Sequence, residues 1–183
     1  MLKAANEGET DTVVDFLRRG MDINTSDMQG NTLLMIAARG GNIDLARFLV
    51  DNRANLERRN RYGDSALMLA AIQGHKDIVQ LILERKPELN HSGWNALHYA
   101  AFEGRAEIIA LLLAAGTDPN LRAPNAQTAL MFAAKRGHLE AVRILAGSGA
   151  DASIRDQAEG KAIDMARQAG YLNIVSFLEK LGG

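Results

Sequence analysis

The sequence predicts an all-α solenoid of about six helix-turn-helix units, on three observations. A glycine recurs at a nearly constant interval, a pair of alanines precedes most of these glycines, and apolar residues at helical spacing follow them. A fixed period of roughly 20–50 residues is the signature of a repeat architecture, in which each unit buries its apolar side on its neighbours. The prediction is therefore a linear stack of short helix pairs.

The recurring glycine stands at positions 8, 41, 74, 104, 137 and 170, at intervals of 33, 33, 30, 33 and 33 residues. These intervals define one domain of six repeats at approximately residues 1–26, 27–59, 60–90, 91–122, 123–155 and 156–183. The first repeat is incomplete and the last is more polar, as expected where the end of a stack faces water. We expect both to act as caps, with no large further domain missing from the fold.

Each repeat is predicted to begin with a short helix. Small residues just before the glycine allow close helix approach, and they are Ala4–Ala5, Ala37–Ala38, Ala70–Ala71, Ala100–Ala101 and Ala133–Ala134. An oxygen-bearing side chain able to cap the helix N-terminus occupies one equivalent place in four repeats, as Thr32, Ser65, Asn95 and Thr128.

A second, amphipathic helix is predicted after each glycine, as shown by Leu45, Phe48 and Leu49 in the second repeat. Between repeats, segments 27–30 and 60–63 combine Asp or Asn with a final glycine, which is typical of tight hairpin-like turns. We expect the tips of these turns to project from the stack.

Across essentially the whole chain this pattern resembles the ankyrin repeat. The resemblance is carried by the segments Gly63–Val79 and Trp94–Ala101 and by the pair Gly137 and His138. The family usually has a proline after the capping residue, and its absence here weakens each helix start slightly while leaving the cap. The residues at that place are Leu33, Ala66, Ala96, Ala129 and Ala162.

The resemblance implies a concave surface of turn tips and first-helix faces that binds a protein partner. In the family, contacts come from the second, third and fifth positions of each repeat and from the two residues before the helix-turn glycine. In this chain those positions hold Met28, Gln29, Asn31, Arg39, Gly40, Arg61, Tyr62, Asp64, Ile72, Gln73, His91, Ser92, Trp94, Phe102, Glu103, Pro124, Asn125, Gln127, Lys135 and Arg136.

Aromatic residues make up 5% of the chain, yet Tyr62, Phe102 and the single tryptophan, Trp94, fall in this set. Aromatic and arginine side chains are favoured anchors of protein interfaces. We therefore expect repeats two to four to contribute most of the affinity. Two alternatives stay open: Trp94 can cover the gap left by a shortened turn, and Phe102 can pack against the neighbouring helix.

The third glycine interval is three residues short, so the turn before Trp94 is predicted to be truncated. Together with the segment Gly93–Tyr99, this truncation resembles a subgroup of proteobacterial ankyrin proteins that are exported to the periplasm. That resemblance implies a periplasmic inhibitor or protector of a cell-envelope enzyme, with the cytoplasm as the alternative location. The absence of cysteine suits an oxidising compartment, although many cytosolic proteins also lack it.

Composition argues against several other classes. A chain that is 47% hydrophobic and 23% charged is expected to fold. A formal net charge of -1 lacks the basic footprint of a nucleic-acid binder, so no nucleic-acid partner is expected. With no run of 18 apolar residues and no basic-then-apolar leader, we expect neither membrane insertion nor an export signal within this sequence.

An enzyme is not expected, because the sequence has no His-Glu-x-x-His helix, phosphate-binding loop or nucleophile elbow, and no cofactor or metal site is predicted. His75 and His138 follow turn glycines and are expected to orient those turns by hydrogen bonding. His98 is expected to form a local hydrogen bond at a helix start, which leaves His91 as the histidine that could touch a ligand. The alternative to a monomeric binding module is a structural scaffold or homo-oligomer.

Overall fold

The computed structural model describes residues 1–181, and within them it contains helices and turns without a β-strand. One antiparallel bridge, between Ser26 and Thr32, is the β-pairing in this range. Gly182 and Gly183, which the last predicted repeat includes, lie outside the described residues. The all-α prediction is confirmed. The helices of residues 1–181 are α1 (Leu2–Asn6), α2 (Thr10–Arg18), α3 (Leu33–Gly40), α4 (Ile43–Asp51), α5 (Ala66–Gln73), α6 (Lys76–Leu83), α7 (Ala96–Phe102), α8 (Ala106–Ala114), α9 (Ala129–Arg136), α10 (Leu139–Gly147), α11 (Ala162–Gln168) and α12 (Leu172–Leu181).

The chain divides into two compact parts, which we call the N-terminal half (Met1–Glu88) and the C-terminal half (Leu89–Gly183). The N-terminal half holds α1 to α6 and the C-terminal half holds α7 to α12. The division falls in the connection that the sequence predicts to be truncated. A single domain over residues 1–183 stays a prediction.

Each half is a two-layer stack of three helix pairs. In the N-terminal half, α1, α3 and α5 form one layer, which we call the inner layer, and α2, α4 and α6 form the outer layer. Each inner helix also packs against the outer helix that follows it in its repeat. In the C-terminal half, α7, α9 and α11 form the inner layer and α8, α10 and α12 the outer layer. Within each half, the repeats therefore pack on their sequence neighbours, as the period predicts.

The four predicted helix caps are all present. The side-chain oxygens of Thr32, Ser65, Asn95 and Thr128 accept a hydrogen bond from the amide three residues on, at 3.3, 3.4, 3.0 and 3.4 Å. Each cap satisfies an amide that the helix itself leaves without a partner. The inner helices therefore begin where the sequence analysis placed them.

The core lies between the two layers. The inner layer contributes the alanine pairs, among which Ala38, Ala70, Ala100 and Ala133 are fully buried. The outer layer contributes large aliphatic side chains at helical spacing, with Leu45, Leu49, Ile78, Ile82, Ile109 and Leu112 at most 1% exposed. Small residues on one helix face let the large residues of the other approach to van der Waals contact.

Candidate partner-binding surfaces

The turn tips of the N-terminal half are held from inside by polar side chains. The Asp27 carboxylate accepts from the backbone amides of Gln29 and Asn31 at 2.9 and 2.8 Å. Burial opposes ionisation of Asp27, but the hydrogen bonds from Asn31 and Gln29 and the charge of Arg39 outweigh it and lower its pKa. The carboxylate is therefore ionised near neutral pH and holds the turn in one conformation.

Asn60 has the same role in the next turn. Its Oδ1 accepts from the amides of Tyr62 and Asp64, both at 2.9 Å, and its Nδ2 donates to Asn31 Oδ1 at 2.9 Å. The backbone amide of Arg61 donates to the carbonyl oxygen of Gln29 at 2.9 Å. One side-chain and one backbone hydrogen bond thus join the tips of repeats 2 and 3.

This joint uses a side chain that the family resemblance assigns to partner contact. Asn31 is only 6% exposed, and its amide is bonded to both Asp27 and Asn60. Little of the side chain is accessible to another protein. Its place in the structure is inside the joint between two turns.

The residues at the two tips point outward. Met28 is 80% exposed and Tyr62 is 77% exposed, and Gln29 and Arg61 beside them are also exposed. The other residues of this half that were predicted to contact a partner differ in exposure. Arg39, Gly40 and Gln73 are exposed, whereas Asp64 and Ile72 are half-buried. The structure therefore brings Met28, Gln29, Arg61 and Tyr62 together on adjoining tips.

The C-terminal half repeats this joint between repeats 5 and 6. Gln127 Nε2 donates to Asp156 Oδ2 at 3.0 Å, and the amide of Gln157 donates to the carbonyl oxygen of Asn125 at 3.4 Å. The hydrogen bond from Gln127 is the main reason that the pKa of Asp156 is lowered. Gln127 is 9% exposed and, like Asn31, lies inside its joint. Pro124 and Asn125 are the exposed tip residues.

The turn at the start of the C-terminal half is truncated. Asn90 donates to the carbonyl oxygen of Gly116 at 3.1 Å and accepts from the amide of Asp118 at 2.9 Å, as Asn120 does toward Gly149 and Asp151. Only five positions separate Asn90 from the helix cap Asn95, against eight between Asn120 and its cap. The missing three residues are therefore those of the projecting hairpin. His91 is half-buried there and Ser92 is exposed.

An aromatic cluster follows the truncated turn. The Trp94 ring stacks on Tyr99 with centroids 5.4 Å apart and lies 4.9 Å from Phe132. Phe102 meets Phe132 edge-on at 6.2 Å, and the Arg136 guanidinium lies 4.3 Å from the Phe102 ring centroid. Aromatic stacking and cation–π contacts each stabilise such a cluster by about 0.5–1.5 kcal/mol.

Phe102 packs against the neighbouring helix, as its alternative states, whereas the covering of the shortened turn by Trp94 stays a prediction. Each ring packs on the neighbouring helix through Phe132, and each stays half-buried, with part of its surface open. Lys135 and Arg136 are exposed at the end of α9, and Glu103 is half-buried at the end of α7. The C-terminal half thus presents a preformed aromatic face bordered by cations.

The comparisons with known proteins agree with this geometry. A family model described as ankyrin repeats (3 copies) matches residues 1–92, 60–123 and 111–182. This chain belongs to the ankyrin-repeat family. It is also 29% identical over 127 residues to the ankyrin repeat protein YahD of Escherichia coli (strain K12), a match that covers 68% of this chain and 63% of that protein. Ankyrin repeats form protein–protein interaction modules, and the matches to them cover residues 1–182 of this chain.

The ankyrin histidines are hydrogen-bonded as the sequence analysis expects. His138 Nε2 donates to the carbonyl oxygen of Phe102 at 3.0 Å, and His75 Nε2 to that of Arg39 at 3.3 Å. Each ring thus ties a turn to the end of the inner helix in the repeat before it. The prediction of turn-orienting histidines is confirmed, with the bond reaching across a repeat boundary.

His98 is buried at the start of α7. Its Nδ1 accepts from the Asn95 amide at 3.3 Å and its Nε2 donates to the carbonyl oxygen of Leu121 at 2.9 Å. Burial lowers the pKa of His98 to about 4, against the smaller raising effect of the Leu121 hydrogen bond. In three other ankyrin repeats a methionine sulfur, as in Met35, accepts from the capping residue's amide instead.

Sequence reasoning missed Tyr99 and Phe132 as parts of the aromatic face. Both stand five residues before a turn glycine, a place that holds Ile36 and Leu69 in other ankyrin repeats. The available signal was aromatic spacing: Tyr99 and Phe102 are three residues apart, so they share one face of a helix.

Within residues 1–181, no helix is long and apolar enough to cross a membrane. The same range contains no cluster of His, Asp and Glu suited to a metal ion.

Proposed function

We propose that this ankyrin module binds one protein partner through the tips of repeats 2 and 3 and the aromatic face of the C-terminal half. The observation that carries this proposal is the exposure of Met28 and Tyr62. Among residues 1–181, the large hydrophobic side chains that are exposed are Met21 at 45%, Met28 at 80%, Tyr62 at 77%, Leu172 at 71% and Leu181 at 52%. The two most exposed stand on adjoining, hydrogen-bonded tips.

Rigid presentation makes these side chains useful for binding. The backbone of both tips is held by side-chain hydrogen bonds from Asp27 and Asn60, so little backbone freedom is lost when a partner binds. Truncation of a tyrosine that acts as an interface hot spot costs roughly 2 kcal/mol or more. The side chains of Trp94 and Phe102 are held by ring contacts, Trp94 stacked on Tyr99 and Phe102 edge-on against Phe132.

The purpose of binding that we propose is inhibition or protection of an enzyme of the bacterial cell envelope, with the periplasm as the location. Two features support it. The truncated turn and the segment Gly93–Tyr99 resemble exported ankyrin proteins, and the chain contains no cysteine. A cysteine-free chain cannot form incorrect disulfides in an oxidising compartment.

The test is affinity capture from separate periplasmic and cytoplasmic extracts of the source organism. Wild-type chain is compared with the triple variant Tyr62→Ala, Trp94→Ala, Phe102→Ala and with Leu172→Ala, a control at an exposed position elsewhere. We expect a periplasmic partner whose affinity falls at least about tenfold in the triple variant and is unchanged in the control. A thermal melt of each variant checks folding, and Tyr62→Ala alone covers the case in which the triple variant unfolds.

Two results would contradict parts of the proposal. Equal capture of the partner by wild type and by folded variants would show that the assigned surfaces do not bind it. Capture from the cytoplasmic extract alone would contradict the periplasmic role. Sedimentation of the 19.8 kDa chain at micromolar concentration separates a monomeric module from a homo-oligomer. A dimer that dissociates in Tyr62→Ala would assign the tips to self-association.

A further inference from the structure

Resting on the proposed function, we propose that the tips of repeats 2 and 3 bind an acidic segment of the partner protein, with an apolar side chain of that segment against Met28 and Tyr62. We call this surface the basic tip patch; it comprises Met28, Gln29, Arg61 and Tyr62 of the two tips together with Arg58, in the segment that leads into the second tip. All five residues are exposed. The charges and the hydrogen bonds around them indicate what they fit.

The cations of the patch are available for binding. Segment 53–62 contains four arginines against one acidic residue, Glu57. Across residues 1–181, no carboxylate lies within ion-pair distance of the guanidinium groups of Arg58 and Arg61. An exposed guanidinium can form a bidentate pair with a carboxylate on another molecule.

The nearby carboxylates are engaged with the fold. Both oxygens of Asp27 accept hydrogen bonds from within the turn. Glu57 accepts from the backbone amide of Glu88 at 3.1 Å, and Asp64 is half-buried. These carboxylates accept hydrogen bonds within the fold, whereas the guanidinium groups of Arg58 and Arg61 are exposed and able to pair with carboxylates of another molecule.

The apolar part of the patch sets a second requirement. Met28 and Tyr62 stand on tips joined by the hydrogen bond from the Arg61 amide to the Gln29 carbonyl oxygen. A methionine adapts to the shape of an apolar side chain and a tyrosine gives it a rigid ring. A segment with carboxylates around one aromatic or aliphatic residue satisfies both parts of the patch.

The C-terminal half offers a matched control. Its equivalent tips carry Pro124 and Asn125 in repeat 5 and Gln157 and Ala158 in repeat 6, with no charge among them. The nearby Arg155 is used internally, since it donates to the Glu159 carbonyl oxygen at 2.6 Å and lies 4.0 Å from the Glu159 carboxylate. The double variant Arg61→Gln, Tyr62→Ala gives repeat 3 the tip residues of repeat 6.

The experiment is selection of peptides of about twelve residues from a random phage-displayed library on the immobilised full chain. Enriched peptides are synthesised with a fluorescent label and titrated by polarisation against wild type, Arg58→Gln with Arg61→Gln, and Arg61→Gln with Tyr62→Ala. The control variant is Asn125→Ala, at the neutral tip. Thermal melts confirm that each variant is folded.

We expect enriched peptides with an excess of Asp and Glu around an apolar residue. Their affinity should fall at least about fivefold in either double variant, and at least about threefold between about 50 and about 300 mM NaCl. Asn125→Ala should leave it unchanged.

Three outcomes would overturn the inference. Enrichment of neutral or basic peptides that bind the variants as well as wild type would contradict recognition of an acidic segment. It would not contradict the proposal that the chain binds a protein partner. No enrichment removes the inference, and the capture from extracts described above then decides the proposed function separately. Tight binding of a labelled single-stranded DNA, lost in Arg58→Gln with Arg61→Gln, would assign the patch to nucleic acid.

Discussion

The tips of repeats 2 and 3 in the N-terminal half and of repeats 5 and 6 in the C-terminal half are joined in the same way but display different surfaces. In each joint a hydrogen bond links the side chains of two adjacent turns: Asn60 Nδ2 donates to Asn31 Oδ1, and Gln127 Nε2 donates to Asp156 Oδ2. The outward residues are Met28 and Tyr62 in the first case and neutral residues such as Asn125 in the second. Packing of adjacent repeats requires hydrogen-bonding side chains at the inward positions. The outward positions have no such requirement, so their residue types differ between the two halves.

The two halves also place their strained residues differently. The left-handed position of the tip is Gly63 (φ +86°) in repeat 3 but Ala126 (φ +61°) in repeat 5. The left-handed position after the outer helix shows the reverse, with Arg53 (φ +64°) in the N-terminal half and Gly116 (φ +96°) in the C-terminal half. A left-handed residue other than glycine costs about 1–2 kcal/mol. Each half therefore carries such strain at a different turn of the repeat.

The largest expected difference between the halves is in acid sensitivity. His98 has a pKa of about 4 in the fold, below its ordinary value of 6.5, so the unfolded chain binds a proton at higher pH than the folded chain. The contribution of neutral His98 to the free energy of unfolding is fully present above pH 6.5. It is lost as the pH falls toward 4, by up to about 3 kcal/mol. Urea unfolding between pH 7 and pH 4 should show this loss in wild type.

His98→Met places at this site the residue that Met35 and Met68 supply in the N-terminal half. The variant loses the hydrogen bond to Leu121 and should be about 1 kcal/mol less stable at pH 7. Its stability should depend less on pH, because methionine does not titrate. Equal pH slopes for wild type and variant would show that His98 is not a source of acid sensitivity.

The next effect tests the joints between helix turns. A Cβ on Gly104 would lie 2.5 Å from the His138 ring and one on Gly41 would lie 2.6 Å from His75, both at positive φ. We expect Gly104→Ala to destabilise the chain by about 2–3 kcal/mol, from backbone strain and displacement of the ring. Gly8→Ala is the control, since its φ is +77° but no atom lies within 4 Å.

The difference between these variants isolates the contact with the ring. Gly8→Ala should cost about 1 kcal/mol, from backbone strain alone. Thermal unfolding followed by circular dichroism measures both. Equal losses for Gly8→Ala and Gly104→Ala would mean that the histidine packing contributes nothing.

A smaller effect is expected from the polar joints at the tips. Asn31→Ala leaves Asn60 without its buried acceptor and should cost about 2 kcal/mol, whereas Gln127→Ala removes one bond to Asp156 and should cost about 1 kcal/mol. Urea titration gives both values. A cost for Gln127→Ala above that for Asn31→Ala would contradict the comparison of the two joints.

The smallest effect concerns the left-handed tip residues. Ala126→Gly should stabilise the chain by about 0.5–1 kcal/mol, because glycine relieves the strain at a modest entropic cost. Gly63→Ala should destabilise it by about 1 kcal/mol, since no atom within 4 Å adds a clash. Opposite signs in the two melting temperatures are the expected result, and a destabilised Ala126→Gly would refute the strain argument.

Most of the fold could be predicted from the sequence because its determinants are local. The caps Thr32, Ser65, Asn95 and Thr128 bond amides three residues away, and the tight turns depend on Asp27 and Asn60 within five residues. The candidate surfaces were predicted less completely. Asn31 and Gln127 stand at family contact positions, yet their partners Asn60 and Asp156 come from the next repeat and bury them.

The sequence by itself determined the repeat, its helix pairs and the residues at the tips, since a period and local hydrogen bonds follow from residue spacing. Only the tertiary structure decided which side chains remain available to a partner. Trp94 and Phe102 pack against Phe132, which is 30 or more residues away in the chain, while Met28 and Tyr62 meet no such neighbour and stay exposed. Exposure depends on what the adjacent repeat places against a residue, and that neighbour is brought close by packing.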